Sequence, residues 1–312
     1  TLADGDYLCS LLSKLEKEDI FFITLLSPEY PQSLANISAP PIILYCKGNR
    51  NLLKSRRFAL VGSRRTLTWA QAFTRELSDN ICKHFTMVTG LAEGGDLAAI
   101  EGVLQSCKNT ENDGLDAPMP VISVLAYGFD HVYPAEHADV LKTVAKHGLV
   151  LTEHRPEVKP QKFLFPVRNR IIAGLSEGTL VVSAGKRSGA SITATYALEY
   201  GRDVFALPYN PKIPSGEGCN ALLKSGAFPV DCIEDILGHY SLECTQTADM
   251  PPLNDEENKI FCYLKEVGEA HVEKISAATE IPLYLLGGLL TELEVKGYLV
   301  RAGGNRYTAI KN

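Results

Sequence analysis

The sequence lacks any apolar run near the roughly 20 residues that span a bilayer, and its first residues lack the basic and then apolar pattern of a secretory signal. Its eight cysteines include no C-x-x-C pair, so their spacing favours neither a zinc site nor a redox dithiol. We therefore expect a cytoplasmic protein without membrane contact, with reduced thiols and no metal ion. Excess positive charge is also absent. Because the net charge is −6, any site for a polyanion must be concentrated in one place.

Nucleotide-binding signatures are missing as well. No G-x-x-x-x-G-K-[ST] motif occurs, which disfavours an ATP-binding P-loop. A dinucleotide site would need G-x-G-x-x-G after the first strong strand and an acidic residue after the next strand, but Gly62-Ser63-Arg64 and Thr89-Gly90 occupy these places. We therefore expect no NAD, no ATP and no other cofactor.

What the sequence does contain is a series of short apolar runs separated by glycine turns and helical stretches. The runs cover residues 58–61, 86–89, 121–125, 149–152, 179–182 and 204–207. Near-continuous apolar strands alternating with helices are typical of a parallel sheet covered on both faces. We predict an α/β fold, a Rossmann-like doubly wound and mostly parallel sheet, which binds ligands beyond the carboxyl ends of its strands.

Segments that interrupt this alternation of strands and helices suggest the domain boundaries. Residues 1–45 are interpreted as an N-terminal accessory segment, 46–240 as the sheet domain, and 241–253, which are polar and contain Pro251-Pro252, as a linker. Residues 254–312 show three helical stretches and a hairpin signal around Gly303-Gly304, which together predict a small winged-helix domain. Residues 109–120 are rich in turn formers and acids and predict a solvated loop.

The turn after the first strong strand predicts an anion pocket. Gly62 lets the backbone turn, and Ser63 and Arg64 then face the ligand edge of the sheet. The alternative is that Arg64 merely pairs with a carboxylate on a helix.

A second basic cluster lies where an aromatic-proline turn precedes an apolar helix. Arg168 and Arg170 flank Asn169, and guanidinium forks together with the free N–H groups of a first helical turn suit phosphate oxygens. The alternative is a structural arginine pair bonded to neighbouring carboxylates.

Two aromatic residues and a lysine come just before this cluster. A base can stack on an exposed ring beside phosphate-binding cations, which is how single strands are held without reading sequence. Lys162 would supply the cation, and we favour Phe165 over Phe163 as the stacking ring because Phe165 is nearer the arginines.

A third candidate anion site opens the helix after the strand at residues 179–182. Ser188, Gly189 and Ser191 are small residues at a helix start, and Lys186 and Arg187 come just before them. Free N–H groups and two cations predict a phosphate cradle. The alternative is an ordinary N-cap formed by Ser188.

Carboxylates near these turns are the candidates for catalysis. Glu93 and Glu153 each follow a strand, whereas Asp96 is interpreted as the cap of the next helix. The glycines at 90, 94 and 95 allow close approach by a ligand or by a neighbouring loop.

Taken in order, these motifs resemble the DNA-processing protein A (DprA/Smf) family over residues 28–235. The matching residues are Gly62-Ser63-Arg64, Gly90-Leu91-Ala92-x-Gly94-x-Asp96, Ala126-x-Gly128-x-Asp130-x-x-Tyr133-Pro134, Phe165-Pro166-x-Arg168-Asn169-Arg170-Ile171-Ile172-Ala173-Gly174-Leu175-Ser176, Ser188-Gly189-x-x-Ile192-Thr193-Ala194 and Gly216-x-Gly218-x-Asn220-x-Leu222-x-x-x-Gly226-Ala227. Three departures are Gly95 where isoleucine is usual, His137 where asparagine is common, and Leu207-Pro208-Tyr209 in place of Pro-Gly.

The resemblance implies a homodimeric protein, not an enzyme, that binds single-stranded DNA and loads a RecA-type recombinase onto incoming strands in natural transformation. It implies contacts between phosphates and the Ser188-Gly189 turn. It also implies a DNA pocket lined by Arg64, Lys162, Phe165, Arg168, Asn169 and Arg170.

Two other functions stay open at this stage. The first is a nucleotide phosphoribohydrolase-like enzyme on a similar sheet, for which Glu93 or Glu153 would serve, although the motif G-G-x-G-T-x-x-E is absent. The second is a ligand-sensing transcription regulator that uses the C-terminal domain. Against it, the helix predicted at residues 283–296 carries Glu292, Glu294 and only one lysine, which suits a phosphate backbone poorly.

Overall fold

A computed structural model describes residues 5–110, 118–186, 188–242, 253–296, 298–302 and 304–309. The chain divides into two compact units, Thr1–Glu243 and Cys244–Asn312. Most of the predicted loop at 109–120 and of the predicted linker at 241–253 lies outside the described residues, and the domain boundaries stay predictions. Within the described ranges, no helix is both long and apolar enough to cross a membrane.

Nine strands from the described residues of the first unit form one sheet. They are β1 (Phe21–Thr24), β2 (Ile43–Gly48), β3 (Arg57–Gly62), β4 (Thr86–Thr89), β5 (Val121–Val124), β6 (Leu149–Thr152), β7 (Gly178–Ser183), β8 (Asp203–Ala206) and β9 (Phe228–Pro229).

The sheet is parallel from β6 across to β9, and β1 and β2 join it antiparallel at one edge. The strand order is β1-β2-β6-β5-β4-β3-β7-β8-β9. From β3 the chain first builds outward through β4, β5 and β6, and then returns to place β7 on the other side of β3. The predicted doubly wound, mostly parallel sheet is confirmed, and its topological switch point lies between β3 and β7.

Helices connect these strands and pack on the sheet, with α3 against α4 and α6 against α7. The helices of this unit are α1 (Gly5–Lys17), α2 (Gln32–Ala35), α3 (Thr68–Ile81), α4 (Gly95–Thr110), α5 (Ala138–His147), α6 (Leu164–Leu175), α7 (Gly189–Glu199), α8 (Glu217–Lys224) and α9 (Glu234–His239).

The central strands are buried along their whole length, which explains their uninterrupted apolar sequence. Every residue of β4, β5, β6 and β7 is buried. Aromatic rings close one end of the sheet, where Phe58 lies 5.6 Å from both Phe85 and Phe205, centroid to centroid.

The second unit has its own small core. Three helices, α10 (Asp255–Val267), α11 (Val272–Thr279) and α12 (Leu283–Val295), pack with a three-stranded sheet of β10 (Glu269–His271), β11 (Leu299–Ala302) and β12 (Arg306–Ala309). Asn254 and Glu257 form a capping box at the start of α10. Assignment of this unit as a winged helix stays a prediction.

Candidate nucleic-acid interface

A cleft of about 260 Å³ opens at the switch point of the sheet. Turns that follow β3 and β4 form one side, and α6 and the start of α7 form the other. The cleft therefore lies where an open α/β sheet binds its ligands. Its lining residues are Val61, Gly62, Ser63, Arg64, Ala92, Asp96, Phe165, Pro166, Arg168, Asn169, Ile172, Ser188, Gly189, Ala190 and Thr193.

The turn after β3 is held rigidly at the mouth of this cleft. The backbone N–H of Ser63 donates to the carbonyl of Ser183 at 2.9 Å, and the two serine hydroxyls lie 2.9 Å apart. Thr66 donates its hydroxyl to the Ser63 carbonyl at 2.6 Å. This network fixes the backbone that presents Arg64.

Arg64 is exposed, and within the described residues it takes part in no ion pair. The structure therefore gives no support to the alternative in which a helical carboxylate holds this arginine. Its guanidinium carbon lies 5.7 Å from the centre of the Phe165 ring. A cation and a ring thus stand together at the mouth of the cleft.

Phe165 forms an aromatic wall together with a residue that the sequence analysis did not single out. The Phe165 ring is half-buried and packs 5.5 Å from that of Tyr133, centroid to centroid. Phe163 is 63% exposed and does not line the cleft. Its place in the motif that ends in Tyr133-Pro134 could have marked Tyr133 as a site residue. The sequence around Tyr133 does not indicate that its ring contacts Phe165.

The position of the basic cluster on its helix differs from the prediction. Helix α6 begins at Leu164, so Pro166 is its third residue and Arg168 lies beyond the first turn. The backbone N–H of Arg168 is therefore not free for an anion, contrary to the prediction. Successive helical residues point about 100° apart, so the three polar side chains at 168, 169 and 170 diverge.

Arg168 points inward and is only 4% exposed. Its Nη1 donates to the carbonyl oxygens of Gly90, at 2.8 Å, and of Val124. Burial lowers the pKa of Arg168, and the negative charge of Asp96 opposes that shift. The guanidinium thus forms part of the cleft floor and holds together the loops after β4 and β5.

The other two polar residues of α6 serve different neighbours. Asn169 donates its amide to the carbonyl of Gly189 at 3.0 Å, which ties α6 to the start of α7 beside the cleft. Arg170 forms an ion pair with Glu153, and the two side chains are only 13% and 16% exposed. Arg170 does not line the cleft, so its position favours the alternative of a structural arginine bonded to a neighbouring carboxylate. DNA contact by Arg170 stays a prediction.

Asp96 links the turns after β3 and β4 and was wrongly interpreted as a helix cap. Its carboxylate accepts hydrogen bonds from the backbone N–H groups of Gly62, Gly90 and Ala92 at 3.1, 3.2 and 3.3 Å. Burial raises the pKa of Asp96, while the charge of Arg168 and these three donors oppose the shift. The carboxylate therefore fixes the loops around the cleft.

The glycines beside Asp96 allow contact between two loops. A Cβ atom on Gly95 would lie 2.5 Å from the Cα of Gly62, and one on Gly94 would lie 2.4 Å from the carbonyl oxygen of Ser63. A side chain does not fit at either place. Close approach by a neighbouring loop, one of the two alternatives left open, is what the structure shows.

The start of α7 forms the far wall of the cleft. Ser188 is the N-cap, and its hydroxyl accepts from the N–H of Ala190 at 3.3 Å, so the ordinary cap is confirmed. Ser188 and Gly189 also line the cleft, as does Thr193 one turn further on, which the sequence analysis missed. A Cβ atom on Gly189 would meet nothing within 4 Å. The helix start is therefore open to a ligand.

The remaining predicted residues lie outside the cleft lining or outside the described ranges. Lys162 and Lys186 are exposed and do not line the cleft, and the Ser191 hydroxyl is buried without a hydrogen-bond partner among the described residues. Arg187 lies outside the described residues. The two lysines therefore do not form the wall of the cleft.

No carboxylate of the cleft is placed to act as a base. Glu93 is exposed and does not line the cleft, and Glu153 is paired with Arg170. Asp96 lines it, but both carboxylate oxygens accept backbone N–H groups. Among the described residues, the lining thus offers a cation, a ring and N–H donors rather than an acid–base pair.

Comparison with known proteins identifies the family of this chain. The family model for DNA recombination-mediator protein A matches residues 21–241. DNA processing protein DprA of Bacillus subtilis is 39% identical over 228 residues, which cover 72% of this chain and 73% of that protein.

Two solved structures are similar as well. The crystal structure of DNA processing protein A from Streptococcus pneumoniae has a TM-score of 0.66 and 35% identity, and covers 72% of this chain and 77% of that one. The Helicobacter pylori protein, solved for its single-stranded DNA binding mode, has a TM-score of 0.61 and 27% identity over 70% of this chain and 95% of that one. The chain belongs to the DNA recombination-mediator protein A family.

Proposed function

We propose that this chain binds single-stranded DNA in the cleft at the switch point and delivers it to a RecA-type recombinase. It would act in the cytoplasm as a homodimer, on strands taken up in natural transformation. The observation that carries the proposal is the position of Arg64, an exposed cation without an ion-pair partner among the described residues, next to Phe165. The Helicobacter pylori relative, known for its single-stranded DNA binding mode, supports the same ligand.

The cleft offers both groups that a single strand needs. A phosphate would bind between the Arg64 guanidinium and the start of α7 at Ser188 and Gly189, where free N–H groups donate hydrogen bonds to an anion regardless of sequence. A base would then lie against the Phe165 ring, which Tyr133 supports from the side. Neither contact reads a base edge, so binding would tolerate any sequence.

The predicted site residues divide by role in this proposal. Those that would touch the strand line the cleft, and they are Gly62, Ser63, Arg64, Phe165, Asn169, Ser188 and Gly189. Lys162 and Lys186 would add attraction from the rim, since both are exposed. Arg168 and Arg170 would act by positioning the loops and α6, because one is bonded to carbonyls and the other to Glu153.

Replacement of Arg64 tests the proposal directly. A charge-assisted contact to phosphate is worth about 1.5–3 kcal/mol, so Arg64→Ala should weaken binding of a labelled oligothymidine by about tenfold or more. The slope of log affinity against log salt should also become shallower by about 0.7, the contribution of one phosphate on a single strand. Fluorescence anisotropy at two salt concentrations measures both quantities.

Arg75→Ala is the matched control, because Arg75 is paired with Glu101 and lies outside the cleft lining. It should bind as the parent does. Folded Arg64→Ala protein that binds as tightly as the parent, with the same salt slope, would remove the basis of the proposal.

A further inference from the structure

Trp69 is an aromatic residue that the cleft does not use. It is the only tryptophan in the chain and the second residue of α3, five positions after Arg64. The side chain is 46% exposed, although tryptophan side chains are highly buried on average in folded proteins. Its ring packs against that of Tyr209, with centroids 5.0 Å apart and an angle of 51° between the planes. One side of the indole is thus supported, and part of the ring faces solvent.

Tyr209 is a rigid support for this ring. Its hydroxyl donates to the carbonyl of Val182 at 2.7 Å, and Asn220 bonds both its N–H and its carbonyl, at 3.1 and 3.0 Å. Its ring packs on the backbone of Gly216, where an added Cβ atom would come within 2.0 Å of it. Tyr209 is therefore held in place from three sides.

The Trp69–Tyr209 pair stands at the same strand ends as the cleft. Tyr209 is bonded to Val182 in β7, and the adjacent Ser183 contacts Ser63 at 2.9 Å, hydroxyl to hydroxyl. Ser63 and Arg64 line the cleft, and they lie in the loop that leads from β3 into α3, where Trp69 is the second residue. A strand that left the cleft past Arg64 would therefore come to an exposed indole near the carboxyl ends of β3 and β7.

The charge around this path also suits DNA. Arg65, between Arg64 and Trp69, is exposed, and within the described ranges it belongs to no ion pair. The first turn of α3 contains no acidic residue. Cations beside an exposed, preorganised ring form the combination that holds a single strand by stacking and electrostatic attraction.

We propose that Trp69 is a second stacking platform, on which a base outside the cleft is held while the Arg64 region holds the backbone. The inference rests on the proposed binding of single-stranded DNA. It adds a contact that is separate from Phe165, and it predicts a longer binding site than the cleft alone provides. Stacking on an indole face accepts any base.

The single tryptophan makes the test possible on the unmodified protein. We expect its fluorescence to be quenched as oligothymidine is added, with the same midpoint as the anisotropy of a labelled strand. A hairpin duplex of equal length should not quench it, because its bases are already stacked. Anisotropy that shows no binding overturns both proposals, whereas binding with unchanged tryptophan emission overturns only the platform.

Variants supply the second arm of the test. Trp69→Ala should weaken binding of a 15-nucleotide strand about tenfold, or about 1.4 kcal/mol, within the range for loss of one stacked base. Trp69→Phe should keep most of the affinity, since a smaller ring remains. The control is Tyr284→Ala, which removes an 83% exposed ring from the second unit and should have no effect. Affinity of Trp69→Ala within twofold of the parent contradicts the platform, and equal losses in the Phe and Ala variants indicate a structural role instead.

Discussion

Two arginines of one cleft show how burial decides what a residue does. Arg64 is exposed beside a ring, whereas Arg168 is buried and bonded to the carbonyl oxygens of two loops. Sequence reasoning treated both as phosphate ligands because it had only their side-chain chemistry. The same guanidinium fork that suits a phosphate also suits two backbone carbonyls, and only the fold selects between them.

This contrast predicts very different effects of two alanine substitutions on stability. Arg168→Ala leaves two carbonyls without their donor and removes the charge that offsets buried Asp96, so the free energy of unfolding should fall by about 3–5 kcal/mol. Arg64→Ala should change it by no more than about 0.5 kcal/mol, as expected at an exposed position. Urea unfolding of the parent and of each variant measures the difference. Equal stability of the two variants would contradict the positioning role of Arg168.

At the scale of elements, the bounds of the central strands could be predicted closely from the sequence, whereas the edge strands could not. The runs at residues 86–89 and 149–152 coincide with β4 and β6, because burial on both faces demands an unbroken apolar sequence. The edge strands β1 and β9 are short and partly exposed, so they carry no such signal. The start of α6 was placed too late because Pro166 suggested a turn, although proline is tolerated in a first helical turn.

The close contact between the end of β3 and the start of α4 also depends on the fold. A substitution at Gly95, inside this contact, tests it, and Gly189, at the start of α7, serves as the comparison. Gly95→Ala would put a Cβ atom 2.5 Å from the Cα of Gly62, so the loops must separate, and we expect a loss of about 1–3 kcal/mol. Gly189→Ala meets nothing within 4 Å and should be neutral, or stabilising by up to about 1 kcal/mol.

Thermal unfolding of both variants, followed by circular dichroism, checks this prediction. A melting temperature for Gly95→Ala equal to that of the parent would mean that the two loops do not need their close contact. The Gly189 variant also adds a methyl group to the cleft wall. A weaker affinity for oligothymidine at unchanged stability would agree with a ligand at the start of α7.

At the scale of the whole molecule, a net charge of −6 is compatible with a DNA-binding role only if the cations are localised. Every residue that lines the described cleft belongs to the first unit. The second unit exposes Glu292 and Glu294 on α12, a helix that would face DNA if this unit bound it as a winged helix. Like charges oppose that approach, so under the proposed function we expect the first unit alone to bind the strand.

Removal of the second unit tests this assignment. A chain that ends after Pro252 keeps the nine-stranded sheet and every lining residue of the described cleft, together with Trp69 and Tyr209. Its affinity for oligothymidine should stay within about threefold of the full chain, a change of less than 1 kcal/mol. Anisotropy titrations of both proteins at the same salt concentration give the comparison, and circular dichroism confirms that the shorter chain is folded. A folded truncated chain that no longer binds would show that the second unit supplies essential contacts, because the cleft itself is unchanged.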